Sequence, residues 1–272
     1  MSTQTQTMVE TRTVSTWDDQ VQLQVNVFGS GPPLIYLHPL GGFVRDDFLD
    51  ELAKTHTIYA PELPGTSADD TFAIHEVNDI FDLVLIYEEA FRKLDLRGAP
   101  VVGQSFGGML AAELASCFPD LFDQVALLGP AGLWFPDKPW TLDVLTGPPS
   151  DLPKLLFNDP TAERPQAMLA LPEDPGAAVD VLAHLTWTMG CGAKFLWPVP
   201  DRGLARRLHR ITAPVLVVWG EDDRIIPSSY AYEYGKRILG GTVHVLPASG
   251  HIPQVEQMEA TLELVSAFLT DP

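Results

Sequence analysis

Residues 103–107 read Gly-Gln-Ser-Phe-Gly, a pattern that can present a nucleophile. The segment follows a short apolar run at 100–102 and precedes a helical pattern at 106–117. A turn this sharp between a strand and a helix needs glycines where a side chain would collide with the neighbouring backbone. The hydroxyl would stand above the sheet, at a helix start whose N–H groups favour developing negative charge. The pattern predicts Ser105 as the nucleophile.

A serine hydroxyl needs a base near neutral pH, and a neutral imidazole with a pKa near ~6.5 is the natural partner. Of the seven histidines, His251 is favoured by its position in a loop at 249–253. This loop lies between the last predicted strand and the final predicted helix at 254–269, so we expect it at the same sheet edge as Ser105. The other six histidines are better explained by structural or surface roles.

A carboxylate at the end of a preceding strand would fix the histidine tautomer and stabilise the imidazolium. The segment 219–227, Trp-Gly-Glu-Asp-Asp-Arg-Ile-Ile-Pro, supplies three candidates. We predict Asp223, with Asp222 as the alternative. The same residues could instead cap the helix that starts near Ser228, or form a weak cation site. Without clustered ligands elsewhere we predict no metal site, and the chemistry requires no cofactor.

The elements that must position these residues follow from hydrophobic periodicity. Continuous apolar runs predict strands buried on both faces, and the stretches between them are helical, most clearly at 78–94. Alternating segments around residues 17–19 predict an antiparallel edge hairpin. Strands that alternate with helices predict an α/β fold with a mostly parallel, twisted eight-stranded sheet and helices on both faces. The predicted strands are 11–14, 21–27, 34–37, 57–60, 100–102, 125–128, 214–219 and 242–246.

The alternation breaks after residue 129 and resumes at 214, with a segment rich in Pro, Trp and Leu between. We predict a core formed by residues 1–130 and 209–272, and a helical cap at 131–208 with a helical patch at 177–189. Three tryptophans of the cap are predicted to bind substrate: Trp134, Trp187 and Trp197. For any one of them the alternative is packing against the core. A basic group could bind a substrate carboxylate or form a solvated face; it comprises Arg202, Arg206 and Arg207.

The composition excludes several function classes. A formal charge of -19 in 272 residues argues against nucleic acid or an anionic membrane as partner. No apolar run approaches the ~20 residues of a membrane span, and the two cysteines, Cys117 and Cys191, are too few for a disulfide scaffold. We therefore expect a cytoplasmic protein, and a homo-oligomer is compatible with the sequence. The apolar side chains of the cap predict a small hydrophobic substrate.

The order Ser105, Asp223, His251 in these settings resembles the α/β-hydrolase superfamily, in its capped branch of esterases, carbon–carbon bond hydrolases and cofactor-free haloperoxidases. The similarity covers about 11–130 and 211–269. It implies an oxyanion hole made by the backbone N–H groups of Phe106 and Leu40. The chain departs from the family pattern by Pro39 where a glycine is usual, which removes one donor from that loop.

The resemblance and the residues together predict a serine hydrolase that cleaves a small hydrophobic carboxylic ester or related acyl compound through an acyl-enzyme on Ser105. One alternative is a carbon–carbon bond hydrolase of the meta-cleavage product type, and another is a haloperoxidase or perhydrolase. A further alternative, from a different class, is a silent fold that serves as a receptor or interaction module. The complete triad argues against that last one.

Overall fold

The computed structural model describes residues 8–67, 70–141, 143–196 and 202–270. Within them, eight strands form one sheet in the order β1-β2-β4-β3-β5-β6-β7-β8. The pairs β1–β2 and β2–β4 are antiparallel and the other neighbouring pairs are parallel. This confirms the predicted fold class. The strands are β1 Glu10–Thr16, β2 Val21–Gly29, β3 Pro33–Leu37, β4 Thr57–Pro61, β5 Val101–Gln104, β6 Val125–Leu128, β7 Val215–Gly220 and β8 Thr242–Leu246.

Helices cover both faces of this sheet. One face packs against α1 and α10, and the other packs against α2, α3 and α8. Side chains of the parallel strands alternate between the two layers, as Leu127 and Leu128 show, so the strands are apolar throughout. The helices are α1 Asp47–Leu52, α2 Ile80–Lys93, α3 Phe106–Cys117, α4 Asp143–Thr146, α5 Leu152–Leu156, α6 Glu163–Leu169, α7 Pro175–Leu196, α8 Ser229–Arg237, α9 Pro253–Glu256 and α10 Met258–Thr270.

Local sequence signals account for several element boundaries. The β1–β2 hairpin turns through Trp17, Asp18 and Asp19, all with positive φ, a conformation that aspartate tolerates better than most residues. Helix α2 begins after Asp79, whose side chain accepts hydrogen bonds from two backbone N–H groups of the first turn, as an N-cap does.

The final helix was predicted as continuous over 254–269, and this is wrong. Helix α9 ends at Glu256 and α10 starts at Met258, with Gln257 between them at φ -119 and ψ 52, outside the helical region. The side chain of Gln257 donates to the carbonyl of Ala248. This local bond connects the break to the loop that carries His251.

The segment between β6 and β7 contains α4 to α7. Helix α7 is 22 residues long and extends beyond the predicted patch at 177–189 on both sides. No helix in the described ranges is long and apolar enough to cross a membrane. Cys117 and Cys191 are both free thiols.

Candidate active site

Ser105 occupies the turn between β5 and α3. Its φ of 53 and ψ of -112 lie in a region that a residue with a side chain rarely adopts. Three backbone hydrogen bonds hold it there: its N–H donates to Leu128, and its carbonyl accepts from Met109 and Ala131. The neighbouring strand and the first turn of α3 thus fix the strained backbone, and the hydroxyl projects beyond the end of β5.

The two glycines of the motif have no room for a side chain. A Cβ at Gly103 would lie 2.5 Å from the carbonyl oxygen of Gly107, and a Cβ at Gly107 would lie 2.0 Å from that of Leu37. Both distances are far inside van der Waals contact. The glycines therefore allow α3 to approach the ends of β3 and β5 closely enough for this turn to form.

A continuous hydrogen-bond chain links the three predicted residues. The Oγ atom of Ser105 lies 2.8 Å from Nε2 of His251, and Nδ1 of His251 lies 2.8 Å from Oδ2 of Asp223. All three residues are buried. When Nδ1–H donates to the carboxylate, Nε2 is left to accept the serine proton, which is the geometry that general-base catalysis requires.

The carboxylate of Asp223 is held in a fixed orientation. Its Oδ1 accepts from the backbone N–H groups of Ile225 and Ile226 at 2.8 and 3.0 Å, and its Oδ2 accepts from the indole N–H of Trp219 at 3.0 Å. Asp222, the alternative, is exposed. The structure therefore brings Asp223 and not Asp222 to the histidine. No group of three His, Cys, Asp or Glu in the described ranges is placed to hold a metal ion.

The loop that carries His251 is tied to the insertion between β6 and β7. The N–H of His251 donates to the carbonyl of Leu156 at 2.8 Å. Glu256 accepts from the N–H of Gly250 at 2.6 Å through one oxygen and from Asp159 at 2.9 Å through the other. Sequence reasoning missed Glu256; the available signal was an acidic residue one turn into a helix, where it can reach back to free N–H groups.

The loop after β3 lies beside Ser105. Leu40 and Ser105 line the same cavity, and Phe106 is the first residue of α3, where a helix leaves N–H groups without intrahelical partners. His38 is buried, which lowers its pKa, and its Nδ1 lies 2.7 Å from the carbonyl oxygen of Pro39. The oxyanion role of the Leu40 and Phe106 N–H groups is consistent with this placement and stays a prediction.

Ser105 and His251 open into a cavity of about 190 Å³. The insertion supplies an apolar wall, and among the described lining residues there is one acidic residue, Asp46, and no Lys or Arg. Such a cavity favours an uncharged, hydrophobic ligand. The apolar wall includes Trp140, Val144, Leu145, Leu169, Leu185 and Met189.

A model of the alpha/beta hydrolase family matches residues 34–264 of this chain. The chain belongs to that family. The match spans the sheet from β3 to β8, all three residues of the hydrogen-bond chain and the insertion.

Relatives of this α/β-hydrolase include proteins named for carbon–carbon bond hydrolysis. The 2-hydroxymuconate semialdehyde hydrolase of Pseudomonas sp. (strain CF600) is 28% identical over 89% of this chain and 88% of that protein. The 2-hydroxy-6-oxo-6-phenylhexa-2,4-dienoate hydrolase of Burkholderia cepacia is 26% identical over 92% of each chain.

Solved structures share the fold of this α/β-hydrolase. The meta-cleavage product hydrolase of Pseudomonas fluorescens IP01 superposes with a TM-score of 0.69 at 20% identity, over 92% of this chain and 95% of that one. The carboxylesterase CesB of Bacillus subtilis gives a TM-score of 0.71 at 18% identity, over 97% and 93%.

Two of the three tryptophans predicted to bind substrate do not line the cavity of this α/β-hydrolase. Trp187 is two residues beyond Leu185 on α7; two residues rotate a helix by about 200°, so its indole points away from the cavity and donates to the carbonyl of Gly65 at 2.6 Å. Trp134 lines a separate cleft and packs against Trp140, which does line the cavity. Trp197 lies outside the described residues.

The basic group considered for a substrate carboxylate also lies elsewhere. Arg207 forms an ion pair with the buried Glu113, at 2.6 Å. Arg202 lines the separate cleft and Arg206 is exposed. None of the three lines the cavity above Ser105. Their segment forms short 3₁₀ turns at Leu204–Arg206 and Leu208–Arg210, and the second turn packs against α3.

Proposed function

We propose that this α/β-hydrolase is a serine esterase that cleaves small, uncharged, hydrophobic carboxylic esters through an acyl-enzyme on Ser105. The observation that carries the proposal is the buried hydrogen-bond chain from Ser105 through His251 to Asp223. It opens into a mostly apolar cavity. A nucleophile, a base and an orienting acid in contact are the requirements for acyl transfer.

The chemistry follows from the positions of these groups. The Oγ atom of Ser105 forms a bond to the ester carbonyl carbon while Nε2 of His251 takes the hydroxyl proton. The N–H groups of Phe106 and Leu40 stabilise the carbonyl oxygen as it becomes negative. The imidazolium then protonates the leaving alcohol as its C–O bond breaks. Water repeats the sequence on the acyl-enzyme, and the acid is released with Ser105 restored.

Carbon–carbon bond hydrolysis is the second candidate, supported by the names of the relatives. One of those names describes a dienoate, which carries a carboxylate. A buried carboxylate needs a cation or several donors to compensate its lost hydration. The described lining of this cavity holds no Lys or Arg and contains the acidic Asp46, so neutral esters fit it better.

We also propose that residues 131–208 form a cap over a core made of residues 1–130 and 209–272. Its support is that the insertion supplies the apolar wall of the cavity and contacts the loop of His251 through Leu156. The same proposal places the enzyme in the cytoplasm, where its two free thiols would stay reduced.

Three measurements test this function. A fluorophosphonate probe should label the wild type and leave Ser105→Ala unlabelled, whereas an unlabelled wild type would defeat the hydrolase proposal. The kcat/KM for p-nitrophenyl butyrate should exceed that for 2-hydroxy-6-oxo-6-phenylhexa-2,4-dienoate, and the reverse order would assign carbon–carbon hydrolysis. Halide oxidation that depends on acetate and peroxide would identify a perhydrolase.

A further inference from the structure

One stretch of the insertion, residues 154–159, lies against the loop that carries His251, and we call it the clasp. The carbonyl of Leu156 accepts from the N–H of His251 at 2.8 Å. The preceding Gly250 has no room for a side chain, since a Cβ there would lie 2.7 Å from the carbonyl oxygen of Leu156 and 2.9 Å from the N atom of Asn158. The clasp and the loop therefore pack backbone against backbone beside the proposed base.

The clasp is also fixed to the loop that carries Asp223. The next residue, Arg224, donates from Nη1 to the carbonyls of Lys154 and Phe157, both at 2.9 Å. Phe157 is fully buried and forms an apolar cluster with Ile252, the residue after the proposed base. The residues that directly follow the proposed acid and base thus both contact the clasp.

Glu256 joins the clasp to the loop of His251 by a further route. One oxygen of its carboxylate accepts from the N–H of Gly250 at 2.6 Å, and the other accepts from the N–H of Asp159 at 2.9 Å. Hydrogen bonds to an ionised acceptor are stronger than those between neutral groups. A carboxylate offers both of its oxygens as acceptors, whereas an amide offers one. Glu256 therefore holds the residue before His251 and the end of the clasp at the same time.

We propose that Glu256 is a positioning residue for the base: it fixes the backbone beside His251 and thereby keeps the imidazole directed at Ser105. This inference rests on the proposed esterase function. The imidazole must meet Ser105 and Asp223 together, each at 2.8 Å, so a displaced loop lengthens at least one of these two hydrogen bonds. A misplacement of about 1 Å can lower a rate about 100-fold. Glu256 does not line the cavity, so its effect passes through His251.

Glu256→Ala tests the proposal by separating kcat from KM. It should lower kcat for p-nitrophenyl butyrate about 10- to 100-fold. It should leave KM within about twofold, because Glu256 does not line the cavity. Glu256→Gln keeps one acceptor oxygen, so its kcat should lie between those of the alanine variant and the wild type. Near-UV circular dichroism would establish folding, and the glutamine variant carries the test if the alanine variant does not fold.

Glu259→Ala is the matched control. Glu259 lies three residues further along the chain, on α10, and its carboxylate forms an ion pair with Arg164 of α6 at 2.6 Å. It therefore also links the C-terminal part of the chain to the insertion. Within the described ranges its carboxylate makes no hydrogen bond to the loop at 249–253. The kcat of this variant should stay within about twofold of the wild-type value.

A proton NMR signal reports on the base directly. In protein with isotopically labelled histidine, the Nδ1 proton that His251 donates to Asp223 should give a signal that His251→Ala lacks. The signal should persist in Glu259→Ala. It should broaden or vanish in the Glu256 variant, because a loosened imidazole exchanges this proton with water faster.

The proposal requires a lower kcat and a weakened signal in the Glu256 variant, and neither change in Glu259→Ala. Any other combination overturns it. Absence of ester turnover in the wild type would instead count against the esterase function. The rate of fluorophosphonate labelling would then replace kcat in the same comparison.

Discussion

At the residue scale, two adjacent aspartates have opposite environments. Asp223 is buried, accepts three hydrogen bonds from the protein and contacts His251. Asp222 is exposed, and its N–H donates to the carbonyl of Ser249. The same side-chain chemistry at neighbouring positions therefore gives a buried carboxylate in contact with the proposed base and a solvated surface charge.

This pair gives a matched test of the orienting acid. Asp223→Asn should lower kcat for p-nitrophenyl butyrate by about 10³- to 10⁴-fold, because an amide at this position no longer holds the productive histidine tautomer. Asp222→Asn should leave kcat within about twofold, since no hydrogen bond to the site is lost. Near-UV circular dichroism would establish that both variants fold. A loss of activity in Asp222→Asn with an active Asp223→Asn would reassign the acid.

The placement of these residues was predictable because each follows a strand, and parallel strands end at one edge of the sheet. Composition could not place the tryptophans in the same way. Trp187 and Leu185 are two positions apart on one helix, yet only Leu185 lines the cavity. Tertiary packing decides which face of the helix meets the core, and an aromatic residue can pack on either face. The hydrogen-bond partners of Glu256 could not be predicted either, because they depend on how the insertion packs against the loop at 249–253.

At the element scale, the site depends on how closely α3 approaches β3 and β5. The sequence predicted α3 at its observed bounds, because a strand, a glycine motif and Pro119 delimit it. The interrupted helix at Gln257 was not predictable from periodicity, since the apolar pattern continues through the break. The contact there, from the side chain of Gln257 to the carbonyl of Ala248, joins the break to a separate loop, and periodicity along the helix carries no signal of it.

Two glycine-to-alanine variants test the close approach. In Gly107→Ala, the new Cβ would lie 2.0 Å from the carbonyl oxygen of Leu37, so α3 must move and we expect a loss of several kcal/mol (roughly 3 or more) in unfolding free energy. In Gly190→Ala, on α7, a Cβ would meet nothing within 4 Å, and helix propensity should add about 0.5–1 kcal/mol. Urea denaturation would measure both, and equal stabilities would contradict the packing argument.

At the scale of the whole molecule, acidity and the cavity act together. The chain has a formal charge of -19, and the cavity lining adds the carboxylate of Asp46. Both disfavour an anionic ligand, the first through the long-range field and the second at contact distance. The proposed preference for neutral esters is therefore supported by the overall charge as well as by the cavity.

The pH dependence of folding tests the state of Asp46. Burial, with the nearby charges of Asp47 and Asp50, raises its pKa from 3.8 to about 6, while its hydrogen bond from Leu49 opposes the shift; Arg45 pairs with Asp50. The folded state then binds this proton more tightly than the unfolded state. The contribution of Asp46 to stability is therefore fully present below pH 3.8 and is lost as the pH rises to about 6.

Asp46→Asn removes that dependence while it keeps the helix cap. The unfolding free energy of the variant minus that of the wild type should increase between pH 4 and 6 and level off above 7. A shift of about two pKa units corresponds to at most roughly 3 kcal/mol, and less for a half-buried group. Urea denaturation across this range would measure the difference, with Asp222→Asn as the exposed control because Asp222 is not among the charges that act on Asp46. A difference that stays flat with pH would show that Asp46 ionises as freely in the folded chain as in the unfolded one.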